Sequence, residues 1–245
     1  MICRKILVAD NFPAGFESCD TQIPDGQRAS FEKLTSSKFA LVLKFKILFK
    51  AKVYSIILKK YFNRNISDLF KSLILPTRAQ RAFKAGQMLA ANGFLTPPAI
   101  AYGRNILMTL EVRDSTPFYK LLGSLPQSQK RKMIEQFGKT VGKMHDTGIF
   151  HGDLRLGNVL VKSANDKFDF YFLDNERTKK FDILPSHLRV KNLVQINMDR
   201  DNVDENDRKV FFDSYIVQQT GSIDAKQIAE NVITKTSERI QKKGR

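Results

Sequence analysis

The chain has 245 residues, of which 42% are hydrophobic, and a formal net charge of +16 at pH 7. This apolar content excludes general disorder, and the length suits one large domain or two small lobes that share a cleft. No apolar stretch reaches the ~18 residues of a membrane span, because lysines interrupt the longest candidate, residues 39–58. The apolar run in residues 1–10 is too short for a signal peptide, and Cys3 and Cys19 lack metal-ligand spacing. We therefore expect a cytoplasmic protein with free thiols.

The positive charge is concentrated in the first half of the chain. Residues 28–110 contain fifteen Lys or Arg and only two acids, Glu32 and Asp68. This half must present a positive field toward something anionic, which leaves phosphates, acidic lipid and nucleic acid as alternatives. Charge alone does not choose among them.

The first predicted elements are an irregular lead-in over residues 1–30 and two strands over residues 38–50 and 53–61. Proline and glycine interrupt the lead-in, whereas the two strands are rich in β-branched and aromatic residues. Lysines alternate with apolar side chains in the first of these strands, which predicts an antiparallel sheet with one solvated face.

Lys59 is the candidate phosphate ligand of the second strand. Under the two-residue period of a strand, Lys59 shares a face with Ile57, and Lys60 points away. If that face is turned toward a nucleotide, the Lys59 ammonium meets its phosphates. The alternative is that both lysines are solvated strand residues.

A helix and a strand complete the predicted first lobe, residues 31–110. Thr77 offers an N-cap, apolar residues follow at helical spacing, and Asn92 and Gly93 end the helix. Residues 106–110 form a short apolar strand, and residues 111–114 then cross to a second lobe, residues 111–245. Backbone groups of such a crossing can pair with adenine.

The second lobe is predicted to be mainly helical. A helix over residues 128–145 has one apolar face, with Gly138 and Gly142 allowing a neighbour to approach closely. Further helical patterns cover residues 188–198, 205–219 and 224–240, and residues 241–245 form a frayed basic tail. His145 fits a structural role better than a catalytic one.

Residues 151–160, with the sequence His-Gly-Asp-Leu-Arg-Leu-Gly-Asn-Val-Leu, have the layout of a phosphoryl-transfer catalytic loop. Asp153 would accept the proton of an attacking hydroxyl, while Asn158 and a second carboxylate, Asp174, would hold Mg²⁺ against nucleotide phosphates. Apolar strands on either side of residues 163–167 predict a hairpin that returns Asp174 to the end where Asn158 lies. The alternative is that each acid is an ordinary turn or capping residue.

The chain resembles the lipopolysaccharide core kinases, bacterial enzymes of the protein-kinase-like fold that phosphorylate heptose or Kdo sugars. The resemblance covers about residues 50–218, and six motifs carry it: residues 57–61, 77–83, 93–97, 145–149, 151–154 with Asn158, and 172–174. It implies an α+β, two-lobed fold with a small antiparallel sheet and a mainly helical second lobe. It also implies ATP and Mg²⁺ as cofactors, with Lys59 on the phosphates, Asp153 as base, and Asn158 and Asp174 on the metal.

Three features depart from the family pattern. No glycine lies between Gly26 and Gly86, so a glycine-rich phosphate loop is missing before Lys59. The helix that should supply a glutamate has Ala82 in that place, and residues 69–110 contain no acid, so Gln80, Gln87 or Asp174 would have to serve. The first 30 residues match no part of the family pattern. The resemblance itself explains why nothing like Ala-Pro-Glu follows Asp174, and it makes a protein substrate less favoured.

Three functions remain open from these observations. The first is a kinase that phosphorylates a sugar hydroxyl of the lipopolysaccharide inner core and binds peripherally to the anionic inner membrane. The second is a pseudokinase that binds nucleotide without turnover, because the glutamate and the glycines are missing. A nucleic-acid binder ranks last, because the aromatic residues mostly follow core periods instead of alternating with arginine.

Overall fold

The computed structural model describes residues 7–8, 31–49, 51–62, 75–199 and 201–243. Their contacts divide into two compact units. The first consists of Met1–Met88 with Pro97–Arg113, and the second of Leu89–Thr96 with Asp114–Arg245. Most of the predicted irregular lead-in lies outside the described residues, but Leu7–Val8 form a strand.

An antiparallel six-stranded sheet, with the order β1-β5-β6-β4-β3-β2, forms most of the first unit. Its strands are β1 (Leu7–Val8), β2 (Glu32–Leu34), β3 (Ala40–Phe49), β4 (Lys52–Tyr61), β5 (Ala99–Tyr102) and β6 (Ile106–Leu110). The predicted strand patterns over residues 38–50 and 53–61 correspond to β3 and β4, which pair along their whole length. Long stretches of β-branched and aromatic residues explain why these two strands are the longest of the sheet.

One hydrophobic cluster of the first unit lies on one face of this sheet. Ile56, Ile100 and Ala101 are buried there, and Phe45 and Tyr54 pack against them. Because side chains alternate along a strand, the residues of β4 between these core positions point to the opposite face.

Helix α1 (Arg78–Ala91) begins at the predicted cap, where the Thr77 hydroxyl accepts a hydrogen bond from the Gln80 amide at 3.2 Å. In the first unit it packs through Phe83, whose ring centroid lies 4.8 Å from that of Tyr102 in β5. The helix ends before Gly93, whose φ of +80° suits the left-handed conformation that glycine adopts without strain.

The second unit contains five helices and two small sheets among its described residues. The helices are α2 (Phe118–Ser124), α3 (Gln127–Asp146), α4 (Ser186–Asn197), α5 (Glu205–Ile216) and α6 (Ala225–Lys243). The strands are β7 (Thr116–Pro117), β8 (Ile149–Phe150), β9 (Val159–Ala164), β10 (Lys167–Phe172) and β11 (Lys179–Lys180). Strand β9 pairs with β10 and β7 in one sheet, and β8 pairs with β11 in the other.

Helices α3 and α5 pack closely at two glycines, as the sequence predicted for α3. A Cβ atom at Gly138 would lie 2.5 Å from the carbonyl oxygen of Phe211, and one at Gly142 would lie 2.5 Å from that of Tyr215. The predicted apolar face of α3 is buried and includes Phe137 and Val141. Neither glycine position has room for a side chain.

Two local predictions were wrong. The turn between β9 and β10 is not the five residues 163–167 but only Asn165 and Asp166, with φ values of 48° and 63°. Asn and Asp tolerate this left-handed conformation, so the strands continue up to a two-residue turn. The C-terminal tail does not fray at residue 241, because α6 continues through Lys243.

Candidate active site

The loop between β8 and β9 is organised by His151, which is fully buried. Its Nδ1 atom accepts a hydrogen bond from the Asp153 amide at 3.2 Å, so its Nε2 atom carries the proton. Nε2 lies 3.0 Å from both the Leu173 carbonyl oxygen and Oδ1 of Asn175. Burial lowers the pKa of His151, so the ring is neutral and positions the loop without contributing charge.

Asn192 of α4 holds the backbone of the same loop in place. Its Oδ1 atom accepts a hydrogen bond from the His151 amide at 3.1 Å, and its Nδ2 atom donates to the His151 carbonyl. The Leu154 amide donates to Oε1 of Gln195 at 3.1 Å. Side chains of one helix therefore satisfy backbone groups on both sides of Asp153.

His145 belongs to this buried network and is not placed for proton transfer. Its Nε2 atom lies 3.2 Å from Oδ1 of Asn192, and its Nδ1 atom lies 3.0 Å from the Tyr215 hydroxyl. Burial, together with the nearby Arg189 guanidinium, lowers the pKa of His145 to about 3. The surroundings support the structural role expected for this histidine.

Asp153, the predicted base, is partly exposed and pairs with Arg155. The Nε and Nη2 atoms of Arg155 donate to the two carboxylate oxygens at 2.8 and 2.6 Å. The Asp153 carbonyl oxygen accepts hydrogen bonds from the Arg155 amide at 2.9 Å and from Nδ2 of Asn158 at 2.8 Å. The hydrogen bond from Asn158 to the Asp153 carbonyl oxygen thus joins the two ends of the loop.

Asn158 and Asp174, the predicted metal ligands, lie at the same end of the β9–β10 hairpin. Val159 pairs with Phe172, and the next backbone bond joins the Leu173 amide to the Asn158 carbonyl at 2.8 Å. Asp174 follows directly, in a left-handed conformation with φ of 58°. The hairpin therefore brings these two residues together, and the Asn158 side chain connects them to Asp153.

These donors suit Mg²⁺. A carboxamide oxygen and a carboxylate are hard ligands of the kind that Mg²⁺ takes alongside phosphate oxygens and water. Because Nδ2 of Asn158 donates to Asp153, its Oδ1 atom is the one suited to a cation. Within the described ranges, no group of three or more His, Cys, Asp or Glu side chains could hold a metal. The two predicted ligands would therefore need the phosphate oxygens of a nucleotide.

Lys59, the predicted phosphate ligand, lies on β4 in the first unit, opposite Val42 of β3. Its Nζ atom is 5.3 Å from the ring centroid of Tyr61, which the Arg78 guanidinium also contacts at 4.7 Å. Lys60 lies instead near Phe62, with its Nζ atom 5.8 Å from that ring. The two lysines therefore differ in their surroundings, as expected from strand alternation.

An ion pair lies on the same face of β4 as Lys59. Lys44 of β3 is opposite Ile57, and its Nζ atom lies 2.6 Å from Oε1 of Glu111, whose amide bonds to the Ser55 carbonyl. Burial raises the pKa of the Glu111 carboxyl, but hydrogen bonds from Lys44 and Ser55, together with the charges of Lys44 and Arg113, leave that pKa below its ordinary value. The face of β4 that carries Lys59 therefore also has a positive side chain, Lys44, and a negative one, Glu111.

A cavity of about 690 Å³ lies within the second unit. Apolar side chains of several helices line it, including Phe137, Phe211 and Val232, together with Leu156 from the loop after Asp153. Charged residues of α5, including Arg208 and Lys209, also line it.

Three residues of the site were not predicted from the sequence: Arg155, Asn175 and Asn192. Arg155 lies two residues after Asp153 in the sequence. A cation so close to a proposed base could have been recognised as a candidate site residue. Asn192 lies 41 residues from His151, the residue it holds, and no local pattern indicates that contact.

None of the helices in the described residues is both long enough and apolar enough to cross a membrane.

Comparison with known proteins identifies a family for most of the chain. Residues 46–215, which are 170 of the 245 residues, match the lipopolysaccharide kinase (Kdo/WaaP) family. One curated relative, the KEOPS complex subunit Bud32 of Pyrococcus abyssi, is 30% identical over 71 residues. That match covers 29% of this chain and only 30% of the relative.

Two solved structures share the fold. WaaP in complex with acyl carrier protein superposes with a TM-score of 0.67 at 16% identity, over 97% of this chain and 98% of that one. The aminoglycoside phosphotransferase APH(2″)-IIa, in a ternary complex with streptomycin and ATP, gives 0.52 at 9% identity, over 76% and 77%. The predicted family and the predicted two-lobed, protein-kinase-like α+β fold are confirmed.

Proposed function

Because this chain belongs to the lipopolysaccharide kinase (Kdo/WaaP) family, we propose that it phosphorylates a sugar hydroxyl of the lipopolysaccharide inner core, with ATP as donor. The acceptor sugar would be heptose or Kdo. The family and the fold are those of a phosphotransferase. The identity of the acceptor and the turnover itself are the proposed part.

Each site residue has a role in this proposal. Asp153 accepts the proton of the attacking sugar hydroxyl, and Asn158 and Asp174 hold Mg²⁺. The ion would neutralise negative charge on the phosphates of the bound nucleotide. Lys59, in the first unit, would supply an ammonium group to nucleotide phosphates.

One observation supports the proposal above the others: residues 151–174 form a single hydrogen-bonded assembly. His151 bonds to the Asp153 amide and to Leu173, while Asn158 bonds to the Asp153 carbonyl and to the Leu173 amide. These bonds fix the backbone at Asp153 and Asn158 before reaction, and positioning of this kind is the main protein contribution to phosphoryl transfer.

The direct test is ATP consumption with a core-oligosaccharide acceptor, comparing wild type with Asp153→Asn. The substitution keeps the size of the side chain but removes the proton acceptor, so we expect kcat to fall about 10²- to 10⁴-fold. Asp166→Asn, at the hairpin turn, is the matched control and should retain activity. Equal rates for wild type and Asp153→Asn would contradict the proposed chemistry.

Strand alternation gives a second matched pair of variants, Lys59→Ala and Lys60→Ala. The first removes the proposed phosphate ligand, so we expect ATP to bind about tenfold more weakly or worse. The second removes a neighbouring lysine of the same charge from the other face and should change affinity much less. Isothermal titration with Mg²⁺ and ATP measures both, and equal losses would show that only general charge matters.

A pseudokinase is the alternative, and the first unit provides its supporting observation. Helix α1 has no acidic residue, so it offers no glutamate for Lys59. A pseudokinase would bind ATP with Mg²⁺ but release no ADP with any core acceptor. Nucleotide titration combined with the acceptor assay therefore separates the two functions.

We further propose that the basic first half of the chain binds the anionic face of the inner membrane, where a glycolipid acceptor would be presented. Each basic residue near such a surface contributes about 1 kcal/mol. Co-sedimentation with phosphatidylglycerol vesicles at low and high salt tests this. A nucleic-acid titration at the same two salt concentrations tests the function ranked last, which requires a steep loss of binding with salt.

A further inference from the structure

The outer end of the β3–β4 hairpin exposes two large aliphatic side chains to solvent. Leu48 is 68% exposed and Val53 is 48% exposed, and the two residues lie directly opposite each other in the strand register. Among the described strands, β2 pairs with β3 only over residues 42–44, and β6 pairs with β4 only over residues 56–60. The exposed pair therefore lies where the hairpin extends past its neighbouring strands.

The two faces of this hairpin end have different surroundings. Ile47 and Tyr54 pack against the hydrophobic cluster that contains Ile56. Because side chains alternate along each strand, Leu48 and Val53 point to the opposite face. A single exposed aliphatic side chain is common on a protein surface, but two in direct contact across a hairpin form a small apolar patch. The pair adds nothing to the cluster, so its exposure indicates a binding role.

Basic side chains surround this apolar pair. Lys46 lies on the same face and is exposed, and Lys52, next to Val53, is exposed as well. The Arg113 guanidinium donates a hydrogen bond to the Val53 carbonyl oxygen at 3.4 Å. Residues 33–67 contain no acid in the sequence. A partner of this surface must therefore be anionic and must also accept aliphatic side chains.

An anionic lipid surface fits both features better than a protein or a nucleic acid does. Two side chains bury far less than the roughly 1,200 Å² of a stable protein interface, whereas lipid can surround a single hairpin end. A nucleic acid would neutralise the lysines but would offer aliphatic side chains no stacking partner. Lipid headgroups carry negative charge directly above an apolar layer, which matches basic side chains placed around an aliphatic pair.

We propose that this hairpin end, residues 46–49 and 51–53, inserts into the headgroup region of an anionic membrane. The aliphatic pair reaches the boundary of the acyl chains, and the basic residues around it bind lipid phosphates. Insertion is shallow, because the outer strand edges have no pairing partner among the described strands and need water or headgroups. The inference rests on the membrane binding proposed above and names the segment responsible, and it does not depend on turnover.

The hairpin end lies on the same face of β4 as Lys59. Val53 and Lys59 are six residues apart, which is about 20 Å along a strand. Lys44, on the same face, is paired with Glu111 at 2.6 Å, so the acid on this face is neutralised and does not repel an anionic surface. A membrane bound at the hairpin end would therefore lie near the strand to which the proposed function assigns the nucleotide phosphates.

The protein contains no tryptophan, so a single one introduced at the hairpin end reports insertion directly. For Leu48→Trp, we expect the emission to shift to shorter wavelength when vesicles of equal parts phosphatidylglycerol and phosphatidylcholine are added. Brominated acyl chains should quench that emission. Val217→Trp is the matched control, because Val217 is 77% exposed in the second unit, and its emission should change little.

Co-sedimentation with the same vesicles separates the apolar contribution from the charge. The double variant Leu48→Ser with Val53→Ser should bind about tenfold more weakly, and this ratio should persist at high salt because salt does not screen apolar burial. Lys46→Gln with Lys52→Gln should also weaken binding about tenfold, but only at low salt. Val217→Ser should change neither. All these positions are exposed, so denaturant unfolding should show wild-type stability.

The other outcomes overturn the inference in distinguishable ways. If Leu48→Trp co-sediments with the vesicles but its emission does not shift, the hairpin end does not insert, and this inference alone fails. If the wild type does not co-sediment, the proposed membrane binding fails with it. A shift without vesicles that grows with protein concentration would assign the surface to a second copy of the chain. A shift with nucleic acid but not with vesicles would assign it to nucleic acid.

Discussion

The loop around Asp153 and the strand that carries Lys59 hold their polar groups by different means. In the loop, buried side chains such as His151 and Asn192 bond to backbone groups and fix their direction. On β4, the sheet register sets the direction, and partly exposed ion pairs and aromatic rings surround the charges. The positions of polar groups in the loop therefore depend on buried hydrogen bonds. The positions of polar groups on β4 depend on strand pairing and on charges that solvent partly screens.

This difference predicts unequal sensitivity to substitution. A buried polar group that loses its partner retains its full desolvation penalty, whereas an exposed ion pair is replaced by water at small cost. Substitutions in the loop should therefore unfold or misplace the site, and substitutions near Lys59 should mainly change binding. The following four experiments test that contrast, beginning with the largest expected effect.

Asn192→Ala should cause the largest loss of stability. It leaves the His151 amide and carbonyl without their partner and removes a contact of His145. We expect the free energy of unfolding to fall by about 3 kcal/mol or more, since each orphaned buried group costs about 1–3 kcal/mol. Denaturant unfolding measures it. The exposed residue Asn202 gives the control, Asn202→Ala, and similar losses in the two variants would contradict the contrast.

Gly142→Ala should rank second, with a loss of about 1–3 kcal/mol from overpacking. The new methyl group would lie 2.5 Å from the Tyr215 carbonyl oxygen, which belongs to the backbone of α5 and cannot rotate away. Gly157→Ala is the control, because its methyl group would meet nothing within 4 Å. A thermal melt that shows the same shift for both variants would mean that α3 and α5 separate at little cost.

The pH dependence of stability should rank third. The pKa of His145 is about 3 in the folded protein, against an ordinary value of 6.5. Between these values the unfolded chain binds a proton that the folded chain does not, so stability is lost as the pH falls. We expect a slope of up to about 1.4 kcal/mol per pH unit from this residue, with His151 adding in the same direction.

Denaturant unfolding at about pH 7 and about pH 5 measures that slope, and His145→Gln should reduce it. The glutamine can still form hydrogen bonds but does not titrate in this range. An unchanged slope in the variant would assign the acid sensitivity to other groups.

Lys44→Met should have the smallest effect. The pair with Glu111 is partly exposed, with side-chain accessibilities of 30% and 24%, so its loss should cost about 0.2–1 kcal/mol. Unfolding at low and high salt checks this, because the difference between wild type and variant should shrink as salt screens the pair. A loss as large as that of Asn192→Ala would remove the distinction between the two regions.

Local pattern was sufficient for the longest elements and for the hairpin that carries the proposed metal ligands. Alternating lysines predicted β3, a single apolar face predicted α3, and two apolar runs predicted the pairing of β9 with β10. Each of these signals lies within a few residues of chain. The Asp153-to-Asn158 spacing is equally local, so the proposed site could be located without coordinates.

Contacts between distant residues could not be predicted in the same way. Strand β1 pairs with β5 at the edge of the sheet, where Leu7 lies opposite Tyr102. Two hydrophobic residues, Leu7 and Val8, are too short a sequence signal to predict this pairing. The short strands β8 and β11 pair across about thirty residues of chain, and a backbone hydrogen bond from Phe181 to Gly148 continues their pairing. The hydrogen bonds between Asn192 and His151 likewise form only when α4 packs against the loop, so no local sequence pattern predicts them.

Gly152 places a constraint on how this loop can diverge. Its Cβ position would lie 2.1 Å from Cβ of Arg177 and 2.7 Å from the Arg177 carbonyl oxygen, and the turn after Asp174 fills that space. A lineage could therefore gain a side chain at position 152 only if the turn at position 177 had moved away first, and that movement would shift Asp174 as well. Position 152 should accordingly remain glycine wherever the backbone of this turn is kept.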